Sequence, residues 1–425
     1  MGLDVLSIRT LKMNSKYRIA IIYPHSSLDT YPSICATVEY LLEYGYFVDI
    51  FTRSSKKYKP FIIHSNKIQV FSSKVIGEFI PDNQFTRLRH LPFFKLVLTP
   101  FKFIIKKLLS EEDLVPQIEK IKQLHSEKPY KTVIGVDPEG FKIAGDIADS
   151  LDIDLIYWSL ELLLTKELTN EYWIDLKECE KKLSQRASFI IIQDKKRSKL
   201  LALDNNISQD KFLFIPNAPK GFYQNQNSNY WHKYFKLDKN ARIVLHSGSI
   251  DNWTGVKDII RSVGDWPKNW IFIIHTRFNS NQDSNLKELY DIVTCDRIFF
   301  STEGVSSLKY PELVAGADIG VAFYIPGKPP YNLENIHTIG FSSGKISYYL
   351  RASLPVIINQ FPDVSKFIQN QKCGIAVNNA DEISKAISII EKNYNEYRNN
   401  AYEAFKKYLE PTSYIKKFVK EVDML

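Results

Sequence analysis

A chain of 425 residues exceeds what one ordinary hydrophobic core organises, so two domains are expected. With 44% hydrophobic and 24% charged residues and no run of 18 apolar positions, the composition excludes disordered, collagenous and membrane-spanning classes. A formal net charge of +8 favours anionic partners such as phosphorylated ligands, nucleic acid or acidic lipid, without choosing among them.

The first half alternates strands and helices. Arg18–Tyr23 reads as a buried strand. Ser33–Gly45 follows as a helix, with Ile34, Val38, Leu41 and Leu42 at helical spacing and a glycine stop. Phe47–Thr52 is the next strand, which completes a βαβ unit of a parallel sheet. Further strands are expected at Thr132–Val136, Leu155–Trp158, Phe189–Gln193 and Phe212–Ile215. Pro216 to Asn229 is rich in turn residues and reads as an interdomain connection.

The alternation then restarts. Arg242–Ser247, Trp270–His275, Ile298–Phe300, Ile319–Phe323 and Pro355–Ile358 read as strands, with a helix over Val256–Val263. Two such runs imply an α/β fold of two doubly wound, Rossmann-like sheets facing a central cleft. Ala380–Leu425 reads as terminal helices broken near Pro411. The expected division is an N-terminal extension (1–16), a first domain (17–222), a second domain (223–400) and a C-terminal helical segment (401–425).

Phe85–Leu109 stands apart. It carries Arg87, Arg89, Lys95, Lys102, Lys106 and Lys107 among Phe, Leu and Ile, with no Asp or Glu. Such a stretch suits the surface of an anionic bilayer. It equally suits a hairpin packed on the domain with snorkelling lysines. The N-terminus lacks the apolar core of a signal peptide, and Leu6 stands where a myristoylation signal has Ser or Thr. Cys35, Cys179, Cys295 and Cys373 are far apart, with no CxxC pair or Cys/His cluster. Together these features lead us to expect a cytoplasmic protein, peripheral at the inner membrane face if the basic segment binds lipid.

Two turns are candidates for anion binding. The first, His246-Ser247-Gly248-Ser249, follows the opening strand of the second domain. The second is stronger: Ser342-Ser343-Gly344-Lys345 opens a helix that runs directly into the apolar strand near Pro355. Ser342 or Ser343 can cap this helix, and its free N–H groups suit a diphosphate. Lys345 in the first turn opposes the helix dipole, a conflict that a bound anion resolves.

This Ser-Gly-Lys-x-x-x-Tyr-Leu-x-x-x-Leu-Pro-Val-Ile pattern resembles the donor helix and following strand of GT-B glycosyltransferases of family 4 (group 1). Ala187–Asp194, Ile215–Pro219 and Leu313–Val321 also resemble that family, in order, across about Tyr17 to Tyr408. The resemblance implies a GT-B fold and transfer of a sugar from a nucleotide-sugar to a glycan or lipid-linked acceptor, in surface polysaccharide or glycolipid assembly. It implies donor contacts from Gly248, Ser249, Ser342, Ser343, Gly344, Lys345 and Tyr348. Two glutamates common in that family fall here at Gly340 and Tyr348, and its Arg and Lys after the first strand fall at Ser249 and Thr254. Diphosphate binding must therefore lean on backbone N–H groups, Lys345 or another cation such as Arg277.

The first domain is expected to bring the acceptor on loops at the carboxyl ends of its strands. Candidate acids there are Asp29 (with Tyr31), Asp137, Glu139 and Glu161, with Asp137 and Glu139 favoured as the catalytic pair with Lys345. No carboxylate pair is placed for a metal, so metal-independent catalysis with no cofactor and no nucleic-acid partner is expected. A nucleotide-sugar epimerase of the same fold and a non-catalytic two-lobed sugar-binding protein are the alternatives.

Overall fold

The computed structural model describes residues 17–54, 63, 65–74, 115–223, 228–277, 284–327 and 333–425. The basic segment Phe85–Leu109 and residues 1–16 lie outside the described residues.

In the first domain the elements are β1 (Arg18–Tyr23), α1 (Pro32–Glu43), β2 (Phe47–Ser54), β3 (Ile68–Lys74), α2 (Val115–Glu127), β4 (Tyr130–Val136), α3 (Asp137–Leu151), β5 (Asp154–Trp158), α4 (Glu171–Arg186), β6 (Phe189–Ile192), α5 (Lys195–Asn205) and β7 (Phe212–Phe214). The strands form a seven-stranded sheet in the order β3-β2-β1-β4-β5-β6-β7, with every pairing parallel. The second domain continues with α6 (Tyr230–Phe235), β8 (Arg242–Ser247), α7 (Val256–Ser262), β9 (Trp270–His275), α8 (Ser284–Asp291), β10 (Ile298–Ser301), α9 (Tyr310–Ala315), β11 (Ile319–Ala322), α10 (Glu334–His337), α11 (Gly344–Arg351), β12 (Val356–Asn359), α12 (Pro362–Asn370), β13 (Gly374–Val377), α13 (Ile383–Lys392) and α14 (Tyr394–Ala404). Its six-stranded sheet has the order β10-β9-β8-β11-β12-β13, again parallel throughout.

The burial pattern explains the apolar runs. All six residues of β1 and all six of β9 are buried, as parallel strands covered by helices on both faces require. Each sheet carries two core clusters, one per face. In each sheet the strand order reverses beside the first strand, at β1/β4 and at β8/β11. Those are the switch points where the loops splay and a crevice opens.

The final helix, α15 (Thr412–Met424), starts directly after Pro411 and returns to the first domain. Its Ile415, Phe418, Val419 and Val422 are buried in the same cluster as Ile34, Val38 and Leu41 of α1. Polar contacts join the two domains along one seam. The Asn217 N–H donates to the Phe341 carbonyl at 2.8 Å, and its Oδ1 accepts the Ser33 hydroxyl at 3.0 Å. Arg197, buried on α5, donates to the Leu160 carbonyl at 2.8 Å in its own domain and to Asn335 Oδ1 at 2.7 Å in the other.

Candidate active site

The second-domain half of the site is organised around α11. Ser343 is its N-cap: the hydroxyl oxygen accepts the Ile346 N–H at 3.2 Å and also bonds Tyr324. The opposite face of the helix is locked to the sheet. Gly320 leaves room for the Tyr349 ring, since a Cβ there would stand 2.3 Å from it. The Tyr349 hydroxyl then accepts the Ser247 N–H, at the end of β8, at 2.8 Å. Thus the β8 loop and the first turn of α11 are held together.

Lys345 lies between them. Its Nζ is buried without a hydrogen-bond partner. The ammonium sits 5.0 Å from the Trp253 ring centroid and 5.6 Å from that of Tyr324. Burial pulls its pKa down from 10.5 to about 7, with Asp251 opposing weakly. Gly248 supplies the space: its φ is +131°, and a Cβ would come within 2.9 Å of Lys345 Cε. A buried, unpartnered cation at a helix N-terminus is the arrangement an anion completes.

The neighbouring candidates divide into two groups. Gly344 begins α11 beside Lys345, and Tyr348 one turn on packs edge-to-face on Tyr310 at 4.7 Å. The others are engaged elsewhere. The Gly248 N–H donates to the His275 carbonyl at 2.9 Å, so this glycine contributes space, not a donor. The Ser249 hydroxyl turns to Asp251, and Thr254 donates to the Asp251 carbonyl at 2.6 Å. Ser342 faces the domain seam, where its hydroxyl meets Ile339 and Arg197. Arg277, after β9, reaches across to Asp29 at 3.4 Å and bridges the domains.

The first-domain half is a cavity of about 550 Å³ at the carboxyl ends of β1, β2, β4 and β5. Tyr23, His25, Tyr31, Arg53, Asp137, Glu139, Glu161 and Trp173 are among its lining residues. This brings together Tyr31, Asp137, Glu139 and Glu161, which lie far apart in sequence. Asp137 takes the left-handed conformation (φ +55°). Its Oδ1 accepts the Leu160 and Glu161 N–H groups at 2.8 and 2.9 Å and so ties the β4 loop to the β5 loop. Burial raises its pKa well above the usual range, reinforced by Glu161. Glu139 is freer: its carboxylate lies 3.9 Å from His25 Nε2, and burial raises its pKa while Arg53 opposes. The His25 pKa is lowered to about 4 by desolvation and the Arg53 charge, although its side chain is 45% exposed and Glu139 lies beside it.

Sequence reading missed Trp253 and Tyr324 around Lys345, and His25, Arg53 and Trp173 in the cavity. Isolated aromatics and a strand-end arginine carry no periodic signal, and only the fold reveals what they face.

Solved structures share this two-domain fold over nearly the whole chain. HepE from Anabaena, solved in complex with UDP-glucose, matches with a TM-score of 0.67 and 11% identity, covering 96% of this chain and 100% of that one. Sucrose-phosphate synthase from Thermosynechococcus elongatus matches with a TM-score of 0.61 and 15% identity, covering 95% and 98%. WaaG, a glycosyltransferase involved in lipopolysaccharide biosynthesis, matches with a TM-score of 0.58 and 13% identity, covering 96% and 98%. The fold is GT-B. Within this GT-B chain, residues 340–422 match the family model described as "Glucosyltransferase 3-like, C-terminal domain". That segment begins at Gly340, just before α11, and includes Lys345. No curated protein sequence matches the chain. Among the described residues no helix is long and apolar enough to cross a membrane, and no group of three or more His, Cys, Asp or Glu is arranged to hold a metal ion.

Proposed function

We propose that this GT-B chain is a glycosyltransferase that moves a sugar from a nucleoside-diphosphate sugar to a hydroxyl of a glycan or lipid-linked acceptor. The observation that carries the reading is Lys345: a buried ammonium with no partner, in the first turn of α11, facing the Gly248 loop. The departing diphosphate gains negative charge as the bond from its oxygen to the sugar C1 breaks. Lys345 and the α11 N–H groups meet that charge where it develops, the electrostatic route to rate enhancement. The acceptor oxygen forms the new bond to C1 and gives up its proton.

Glu139 is the proposed base. It lines the acceptor-side cavity, and its raised pKa moves it toward the range in which a carboxylate accepts a proton effectively. Asp137 holds the cavity wall through its two backbone bonds. Tyr348 is proposed as a nucleotide contact, at the position where family relatives carry a glutamate.

We further propose that no metal ion is required, because Lys345 and the helix N-terminus supply the positive charge. The test is calorimetry with UDP as the probe, with and without chelator. Binding to the wild type that survives chelation, and is lost in Lys345→Ala, supports the reading. Unchanged binding in Lys345→Ala would remove the residue from the site, and chelator-sensitive binding would end metal independence. The basic Phe85–Leu109 segment supports a cytoplasmic-face, membrane-associated acceptor. Charge reversal at Lys102, Lys106 and Lys107 should weaken binding to anionic liposomes, and indifference to it would sink the membrane proposal.

A further inference from the structure

The acceptor-side cavity is specific in its charge. Three carboxylates of the described residues line it: Asp137 and Glu139 from the first turn of α3, and Glu161 from the loop after β5. Among the described residues, the nearby cations already act on these acids. Arg53 faces Glu139, and Arg197, buried behind the wall, faces Glu161. His25 Nε2 lies 3.9 Å from the Glu139 carboxylate. Asp137 also lies in the field of the buried Arg197, and its Oδ1 accepts the Leu160 and Glu161 N–H groups. Among the described residues, an incoming anion therefore finds carboxylate acceptors in the wall, with Arg53 the one basic side chain besides His25 that lines it.

The remaining wall is aromatic and hydroxylic. Tyr23 packs edge-to-face with both His25 at 5.3 Å and Tyr31 at 5.9 Å, and the Tyr23 hydroxyl bonds the Ser27 hydroxyl at 2.8 Å. Trp173 on α4 adds an indole to the same cavity. Apolar ring faces and acceptor oxygens together suit a pyranose, which presents C–H faces and donating hydroxyls. A volume of about 550 Å³ is within the usual range for a small-molecule pocket.

We propose that the acceptor is an uncharged pyranoside, and that the Asp137–Glu139–Glu161 wall excludes uronic acids and sugar phosphates. The proposal rests on the reading of this cavity as the acceptor side of a glycosyltransferase. It adds the substrate class.

Saturation-transfer NMR with matched glycosides tests it. Methyl β-glucoside, galactoside and N-acetylglucosaminide are compared with methyl β-glucuronide and glucose 6-phosphate, on the full chain saturated with UDP. The neutral glycosides should bind at least ~100-fold more tightly than the anions, since like charge juxtaposed in a site rejects the wrong partner. Trp173→Ala should abolish the neutral signal. Glu161→Gln should narrow the discrimination by about tenfold, because an acceptor-only carboxylate in the wall is replaced by an amide that can donate to an anion. Glucuronide or phosphate binding as strong as that of the neutral sugars would overturn the proposal, as would no neutral glycoside binding while UDP binds. Failure of UDP itself to bind would instead overturn the donor reading.

Discussion

Replacing Lys345 by Met keeps the stem against Trp253 and Tyr324 and removes the charge. Lowering the ammonium pKa from 10.5 to about 7 corresponds, at ~1.4 kcal/mol per pH unit, to roughly 5 kcal/mol of unfavourable burial. The two rings return about 1–2 kcal/mol of that through cation–π attraction. The empty wild-type protein is therefore strained by a few kcal/mol at this residue, and Lys345→Met should be more stable than wild type without ligand. The same change should weaken UDP binding by about 2–4 kcal/mol, roughly 30- to 1000-fold, because it removes a charge-assisted partner from a buried anion site. The assay is thermal unfolding with and without saturating UDP, paired with calorimetric affinities. The reasoning requires opposite movements: a higher melting temperature for the empty variant and a smaller shift on adding UDP. A variant less stable when empty, with UDP affinity unchanged, would refute it.

The same residue makes binding and stability depend on pH. Its folded pKa lies below its unfolded one, so the unfolded chain holds the extra proton between about pH 7 and 10.5, and the Lys345 contribution to stability rises with pH across that window. UDP should draw a proton onto Lys345 at pH 8, seen as binding heats that vary with buffer ionisation enthalpy; heats independent of buffer would contradict this. Gly248→Val should abolish UDP binding, because φ +131° disfavours the residue and the Cβ meets Lys345 Cε at 2.9 Å. Retained affinity in that variant would show that the loop moves freely. Tyr349→Phe leaves the buried Ser247 N–H unpartnered and should cost ~1–3 kcal/mol, measured by denaturant unfolding. Glu139→Gln should lower the transfer rate by about 10²–10⁴-fold at unchanged UDP affinity, and equal rates would exclude Glu139 as base.

Both sheets were legible in the sequence where strands are buried on both faces. The residue ranges read for β1, β8 and β9 coincide with those in the structure. The two strands that sequence reading missed, β3 and β13, are edge strands of their sheets. β3 is partly exposed, with Val70 at 38%, so it never forms a continuous apolar run. β13 is four residues long and half-buried at its centre. The site was legible where a residue type conflicts with its local setting. Lys345 at a helix start is such a conflict, and the structure places it unpartnered beside Gly248. What Ser342 and Ser249 face was not legible, because their hydroxyl partners, Arg197 and Asp251, are fixed by loop geometry and domain packing. Nor does sequence separate Asp137 from Glu139. Only the turn that puts Asp137 at φ +55° shows that its Oδ1 is committed to two N–H groups.

The central claim is sugar transfer, and product formation tests it most directly. The full chain, incubated with a panel of nucleoside-diphosphate sugars and neutral aryl glycosides, is assayed by mass spectrometry for glycoside enlarged by one sugar unit. The account predicts such a product from at least one donor, released with stoichiometric nucleoside diphosphate and lost in Lys345→Met. Wild-type protein that binds UDP tightly, yet yields neither enlarged glycoside nor free nucleoside diphosphate across the panel, would contradict it.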